Sequence, residues 1–107
     1  MFATNFIVST SHLKYKRGED KLKSYGQSET IGSPRNGHTM TNSFCGHCGT
    51  LMYRAGSGAP GSLFMRVGTV DDIALYETRL KPTIEYFTKD RVAWLEPVPG
   101  CEQKEAF

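Results

Sequence analysis

A mainly β fold is predicted for this 107-residue chain by three observations. Its aromatic and β-branched residues fall in short runs bounded by Gly, Pro, Asn and Ser, the composition of strands joined by turns. No segment keeps an amphipathic helical period over about 11 residues. A Cys-x-x-Cys-Gly knuckle, Cys45-Gly46-His47-Cys48-Gly49, lies between two of the strand-like runs.

The elements follow in order. Phe2 to Val8 reads as a strand and Ser9 to Ser11 as a turn. Leu13–Tyr15 and Lys21–Tyr25 read as two short strands joined by Arg17-Gly18-Glu19-Asp20, where Gly18 suits a turn. Residues 26–38 are rich in breakers and read as an exposed loop. Thr39–Phe44 is a strand into the knuckle and Thr50–Tyr53 a strand out of it. Ala55 to Ser62 holds three glycines and a proline, a second loop, before the strand Leu63–Val67. Thr69 is placed to cap one helical turn with Asp71 and Asp72 in its first turn. Pro82–Phe87 reads as extended, Arg91–Leu95 as a helical turn, and 96–107 as a flexible tail. Together, residues 1–107 read as one domain.

Composition narrows the function classes. An apolar share of 38% is low for a free-standing domain, so the chain is expected to fold with modest margin or to rely on a metal or partner for extra stability. Thirteen basic against eleven acidic residues give +2, too balanced to read as a nucleic-acid binder. Three cysteines make no disulfide framework, no secretory leader opens the sequence, and no apolar run nears the roughly 20 residues of a membrane span. A reducing, cytoplasmic setting is therefore expected, where a Cys-x-x-Cys pair is a metal or redox feature.

Two cysteines three apart direct both sulfurs to one side of a tight turn, and Gly46 and Gly49 allow positive φ there. That is half of a tetrahedral zinc site, with Cys45 and Cys48 as ligands. A redox pair would need the first sulfur at a helix N-terminus; the following Gly-Thr-Leu-Met-Tyr-Arg reads as a strand instead. Two unpaired buried thiols are the plainer alternative, which the flanking glycines and strand–turn–strand setting argue against. His47 lies inside the knuckle and is expected to point away; His12, His38 and Cys101 are the remaining donors. A site built from Cys45, Cys48, Cys101 and His38 has no spacing rule behind it.

Other residues have plainer readings beside functional ones. Arg66, Asp71 and Asp72 either line a cleft or end a strand and cap a turn, and the structural role is favoured. Lys14, Lys16, Arg17, Lys21 and Lys23, near Tyr15 and Tyr25, either meet anionic groups or form a solvated hairpin face. Phe64, Tyr86, Phe87 and Trp94 read as core.

The runs Ser43-Phe44-Cys45-Gly46-His47-Cys48-Gly49-Thr50-Leu51-Met52-Tyr53 and Arg66-Val67-Gly68-Thr69-Val70-Asp71-Asp72, then Pro82, Glu85-Tyr86-Phe87 and Arg91-Val92-Ala93-Trp94-Leu95, stand in this order. That ordered set resembles the glutathione-dependent formaldehyde-activating enzyme and centromere protein V family, over roughly Phe2 to Leu95. The resemblance implies a β-tent of small antiparallel sheets with a zinc-knuckle element and few helical turns. It implies carbon–sulfur lyase chemistry, in which glutathione and formaldehyde combine to S-hydroxymethylglutathione. It also implies a structural zinc, of whose ligands Cys45 and Cys48 map here, and a second, catalytic cysteine cluster that does not. The chain thus resembles the C-terminal two-thirds of the family domain, shortened at its N-terminus.

The expected function is accordingly a zinc-dependent carbon–sulfur lyase-type domain acting on glutathione–formaldehyde adducts, with its catalytic residues unassigned. The alternative is a non-catalytic zinc-binding scaffold or interaction module of the same fold. Zinc is the expected cofactor and glutathione, or a related small thiol adduct, the expected partner; neither a membrane nor nucleic acid is expected.

Overall fold

The computed structural model describes residues 2–28 and 38–107, and the mainly β expectation holds. Strands β1 (Asn5–Ser9), β2 (Leu22–Gln27), β3 (Met40–Cys45), β4 (Leu51–Gly56) and β5 (Ser62–Arg66) form one sheet in the order β1-β5-β4-β3-β2. Every neighbouring pair in it is antiparallel. β6 (Ile84–Glu85) and β7 (Glu102–Gln103) form a separate ladder, which is parallel. Among the described residues, helical structure is confined to short 3-10 turns, and no helix is long and apolar enough to cross a membrane.

The chain divides into two compact units. Asn5–Thr69 carries the five-stranded sheet; the described residues up to Thr4, with Val70–Phe107, carry the β6–β7 ladder.

Alternation along the strands sorts the sheet into two faces. Phe6 lies opposite Met65, Val8 opposite Leu63, Tyr53 opposite Met65 and Ser43 opposite Tyr53, which places these residues on one face. This is the inner face: Leu63 is 5% exposed and Ser43 is also buried. The other face carries Ile7 opposite Phe64, Phe64 opposite Arg54, Arg54 opposite Asn42 and Asn42 opposite Tyr25. Ile7 and Tyr25 there are exposed.

Several sequence expectations shift. Leu13–Tyr15 forms no strand; Ser9 caps the 3-10 turn Thr10–His12 ahead of it by accepting from Ser11 N–H at 3.3 Å. Of the loop expected at 26–38, Gly26 and Gln27 instead extend β2 by pairing with Thr41 and Met40, and 29–37 lie outside the described residues. Ala55 and Gly56 extend β4 in the same way. Thr69 caps nothing: its Oγ1 donates back to the Arg66 carbonyl at 2.8 Å. The cap is Asp72, whose Oδ1 accepts from Ala74 N–H at 3.1 Å and opens the 3-10 turn Ile73–Glu77. Arg91–Leu95 holds a single turn, closed by Leu95 N–H on the Val92 carbonyl at 3.0 Å.

The expected aromatic core is not there for three of its four residues. Trp94 is 69% exposed, and Tyr86 and Phe87 are exposed as well, while Phe64 is half-buried. Residues 70–107 offer two two-residue strands and 3-10 turns rather than a sheet face, too little surface to cover large rings. Residues 96–107, read as a tail, contain β7 and the bonds from Glu102 N–H to the Thr83 carbonyl and Lys104 N–H to the Glu85 carbonyl, each 2.8 Å.

Candidate functional site

The knuckle is a closed turn at the end of β3. Cys45 N–H donates to the Thr50 carbonyl at 2.9 Å, and Gly49 N–H donates to the Cys45 carbonyl at 2.8 Å. The two glycines act by different means. Gly49 sits at φ +76°, the left-handed region that favours glycine. Gly46 does not; a Cβ there would lie 2.9 Å from the Lys21 carbonyl oxygen, to which Gly46 N–H donates. The knuckle is thus pressed against the 3-10 turn Glu19–Lys21, and only a residue without a side chain permits that approach.

This turn carries both thiols. Cys48 Sγ and Thr50 Oγ1 share a hydrogen bond at 3.2 Å. That hydroxyl, then the Thr50 backbone N–H, then the Cys45 side chain, hold the Cys48 thiol below the ordinary cysteine range. Cys48 is exposed, Cys45 is half-buried, and both are free thiols. A shallow groove beside them is lined by Asp20, Lys21, Lys23, Gly46 and His47.

The other candidate donors lie elsewhere. His38 precedes β3, at the opposite end of that strand from Cys45, with Nδ1 3.4 Å from Ser57 Oγ. His12 closes an exposed 3-10 turn, and His47 is exposed within the knuckle. Cys101 belongs to the other unit, where its Sγ donates to the Pro82 carbonyl at 3.1 Å. Among the described residues no group of three or more His, Cys, Asp or Glu side chains is placed to hold a metal ion. Cys45 and Cys48 are two thiols where a closed zinc site takes four donors, and the described residues supply no third.

Arg66 and the aspartates belong to different units. Asp72 is a cap, as above, and Asp71 is exposed beside it. Arg66 lies on the outer face of the sheet, with Nη1 donating to Asn5 Oδ1 at 3.2 Å. Its neighbour Arg54, which the sequence reading passed over, donates from Nε to Asn42 Oδ1 at 2.8 Å. The available signal was alternation: Arg54 lies between Tyr53 and Ala55 in β4, so it faces away from the core. In the basic run, Tyr15 anchors the connection to β2 through a hydrogen bond to the Tyr53 hydroxyl, while Lys14, Lys16, Arg17, Lys21 and Lys23 are exposed.

A family model described as glutathione-dependent formaldehyde-activating enzyme matches residues 1–90. No curated protein and no solved structure matches the chain.

Proposed function

This chain belongs to the glutathione-dependent formaldehyde-activating enzyme family, and from that premise we propose that it forms or cleaves the carbon–sulfur bond of S-hydroxymethylglutathione. In the forward direction the glutathione sulfur bonds to the formaldehyde carbon, the C=O π bond opens, and the thiol proton ends on the new hydroxyl. The observation that carries this reading is the span of the family match, which runs through the thiol turn and on through β5 to Asp90. Cys45 and Cys48 act in it as two structural ligands of a zinc. The placement of both cysteines on one closed turn and the exposure of Cys48 support that role. The three free thiols suit a reducing, cytoplasmic setting.

A second reading, a non-catalytic zinc-binding scaffold of the same fold, is favoured by one observation: the described residues gather only two thiol donors. A glutathione–formaldehyde adduct assay separates the two. Adduct formation above the uncatalysed rate is expected for the enzyme, and its absence would leave the scaffold. Elemental analysis of the purified protein tests the zinc in either case. Stoichiometric zinc that is lost in Cys45→Ser is the expected result, and protein free of zinc would overturn the metal role.

A further inference from the structure

We propose that Arg54 and Arg66 form a two-point carboxylate clamp on the outer face of the five-stranded sheet, and that it holds the two carboxylates of glutathione. The choice of ligand rests on the function proposed above; the clamp itself rests on the sheet. Arg54 stands opposite Phe64, and Arg66 lies two residues further along β5 on the same face. Such diagonal neighbours have stems about 7 Å apart.

Each guanidinium is held by an asparagine on the strand beyond it. Arg54 leans to Asn42 on β3 and Arg66 leans to Asn5 on β1, so the two heads are drawn to opposite sides. Among the described residues each spends one of its five N–H donors on an amide oxygen, which leaves four on each head. Neither has a carboxylate partner among the described residues, and no strand of this sheet contains an acidic residue.

Half-buried arginines ordinarily meet an acid; among the described residues neither of these does. Burial, and then the charge of Arg54, push Arg66 below the ordinary arginine range. An anion placed across the pair would relieve that repulsion and take up the free donors in bidentate fashion. Two forks drawn to opposite sides by asparagines suit a ligand with two separated carboxylates better than a single small anion. Glutathione, with one carboxylate at each end of a short peptide, is such a ligand.

Calorimetric titration of the full chain with glutathione, its monoethyl ester and its diethyl ester tests the clamp, because the thiol is the same in all three. Affinity is expected to fall by at least about ten-fold for each carboxylate blocked, and similarly in Arg54→Gln and Arg66→Gln, the scale of a lost charge-assisted hydrogen bond. Lys16→Gln, outside the sheet, is expected to bind as the parent does, and circular dichroism checks that each variant keeps its fold. Glutathione binding unchanged in both arginine variants would overturn the clamp and leave the glutathione reading standing. Succinate binding that depends on both arginines, with no glutathione binding, would keep the carboxylate site and overturn its ligand. Binding of neither compound would overturn the site itself.

Discussion

Glu85 and Arg91 form an ion pair, Arg91 Nη2 donating to Glu85 Oε2 at 3.1 Å. The same oxygen accepts from Val98 N–H at 3.0 Å and from Gln103 Nε2 at 2.6 Å. Arg91 also donates to Gln103 Oε1. One carboxylate therefore joins β6, the turn after it, the Pro-rich stretch at Val98 and β7. A two-residue parallel ladder is marginal alone, and this polar hub is what holds it.

Glu85→Gln is expected to loosen the ladder without affecting the five-stranded sheet. The Gln103 amide first, then the Val98 N–H and the Arg91 charge, hold the Glu85 carboxyl below its ordinary value of 4.5. A depressed acid contributes stability above its unfolded value and loses it as pH falls through the folded one. Protection of the Glu102 and Lys104 amides should thus be level above about pH 4.5 and decline below it. In Glu85→Gln it should be low at every pH. Hydrogen exchange measures both, and an unchanged decline in the variant would assign the effect to another group.

The two knuckle glycines should fail differently. Gly46→Ala drives a Cβ to 2.9 Å from the Lys21 carbonyl oxygen and 3.1 Å from Lys23 Cγ. Relief requires breaking the Gly46 N–H bond to that carbonyl, so a loss of about 1–3 kcal/mol is expected. Gly49→Ala meets no atom within 4 Å but keeps φ +76°, a strain of about 1–2 kcal/mol. Gly68→Ala, with open space and ordinary φ, should be nearly neutral. Urea midpoints rank the three.

Thr50→Val should make the Cys48 thiol harder to ionise. The Thr50 hydroxyl is the first cause of its lowered value and the Cys45 side chain a later one. In chelator-treated protein, the pH midpoint of Cys48 alkylation, read by mass spectrometry, is expected to rise in Thr50→Val and to rise less in Cys45→Ser. A larger shift in Cys45→Ser would mean that the other thiol, not the hydroxyl, dominates.

What the sequence disclosed follows from how local each signal is. The turn at Cys45–Cys48 and the sheet strands around it are written in neighbouring residues, glycines beside cysteines and short apolar runs in β1 and β5. The cap could not be settled locally, because Thr69 and Asp72 are both competent and only the start of the 3-10 turn chooses Asp72. The Arg54–Arg66 pair depends on the register of β4 against β5, where Arg54 meets Phe64; no spacing in the sequence encodes it. β6 and β7 are too short to show a period, and their pairing is carried by the Glu85 side chain rather than by apolar alternation. The exposed Trp94 is the converse lesson, since a large ring is buried only where a layer exists to cover it.

The Tyr15–Tyr53 hydrogen bond is the side-chain tie between the connection before β2 and the inner face of β4. Partial burial of the Tyr15 phenol, and then its bond to Tyr53, push it up to about 12 from an ordinary 10.0. An acid whose folded value is raised favours its neutral form in the fold, so its contribution is complete below about pH 10 and is lost as pH climbs towards 12. Tyr53→Phe removes the partner and should lower stability by about 1 kcal/mol at neutral pH. It should also bring the Tyr15 phenolate transition down towards 10, which an absorbance titration reads directly. Tyr15→Phe should lose the same tie and show no such transition. A Tyr15 midpoint unmoved in Tyr53→Phe would mean that burial alone sets it, and that the hydroxyl pair is a consequence of packing rather than a cause of it.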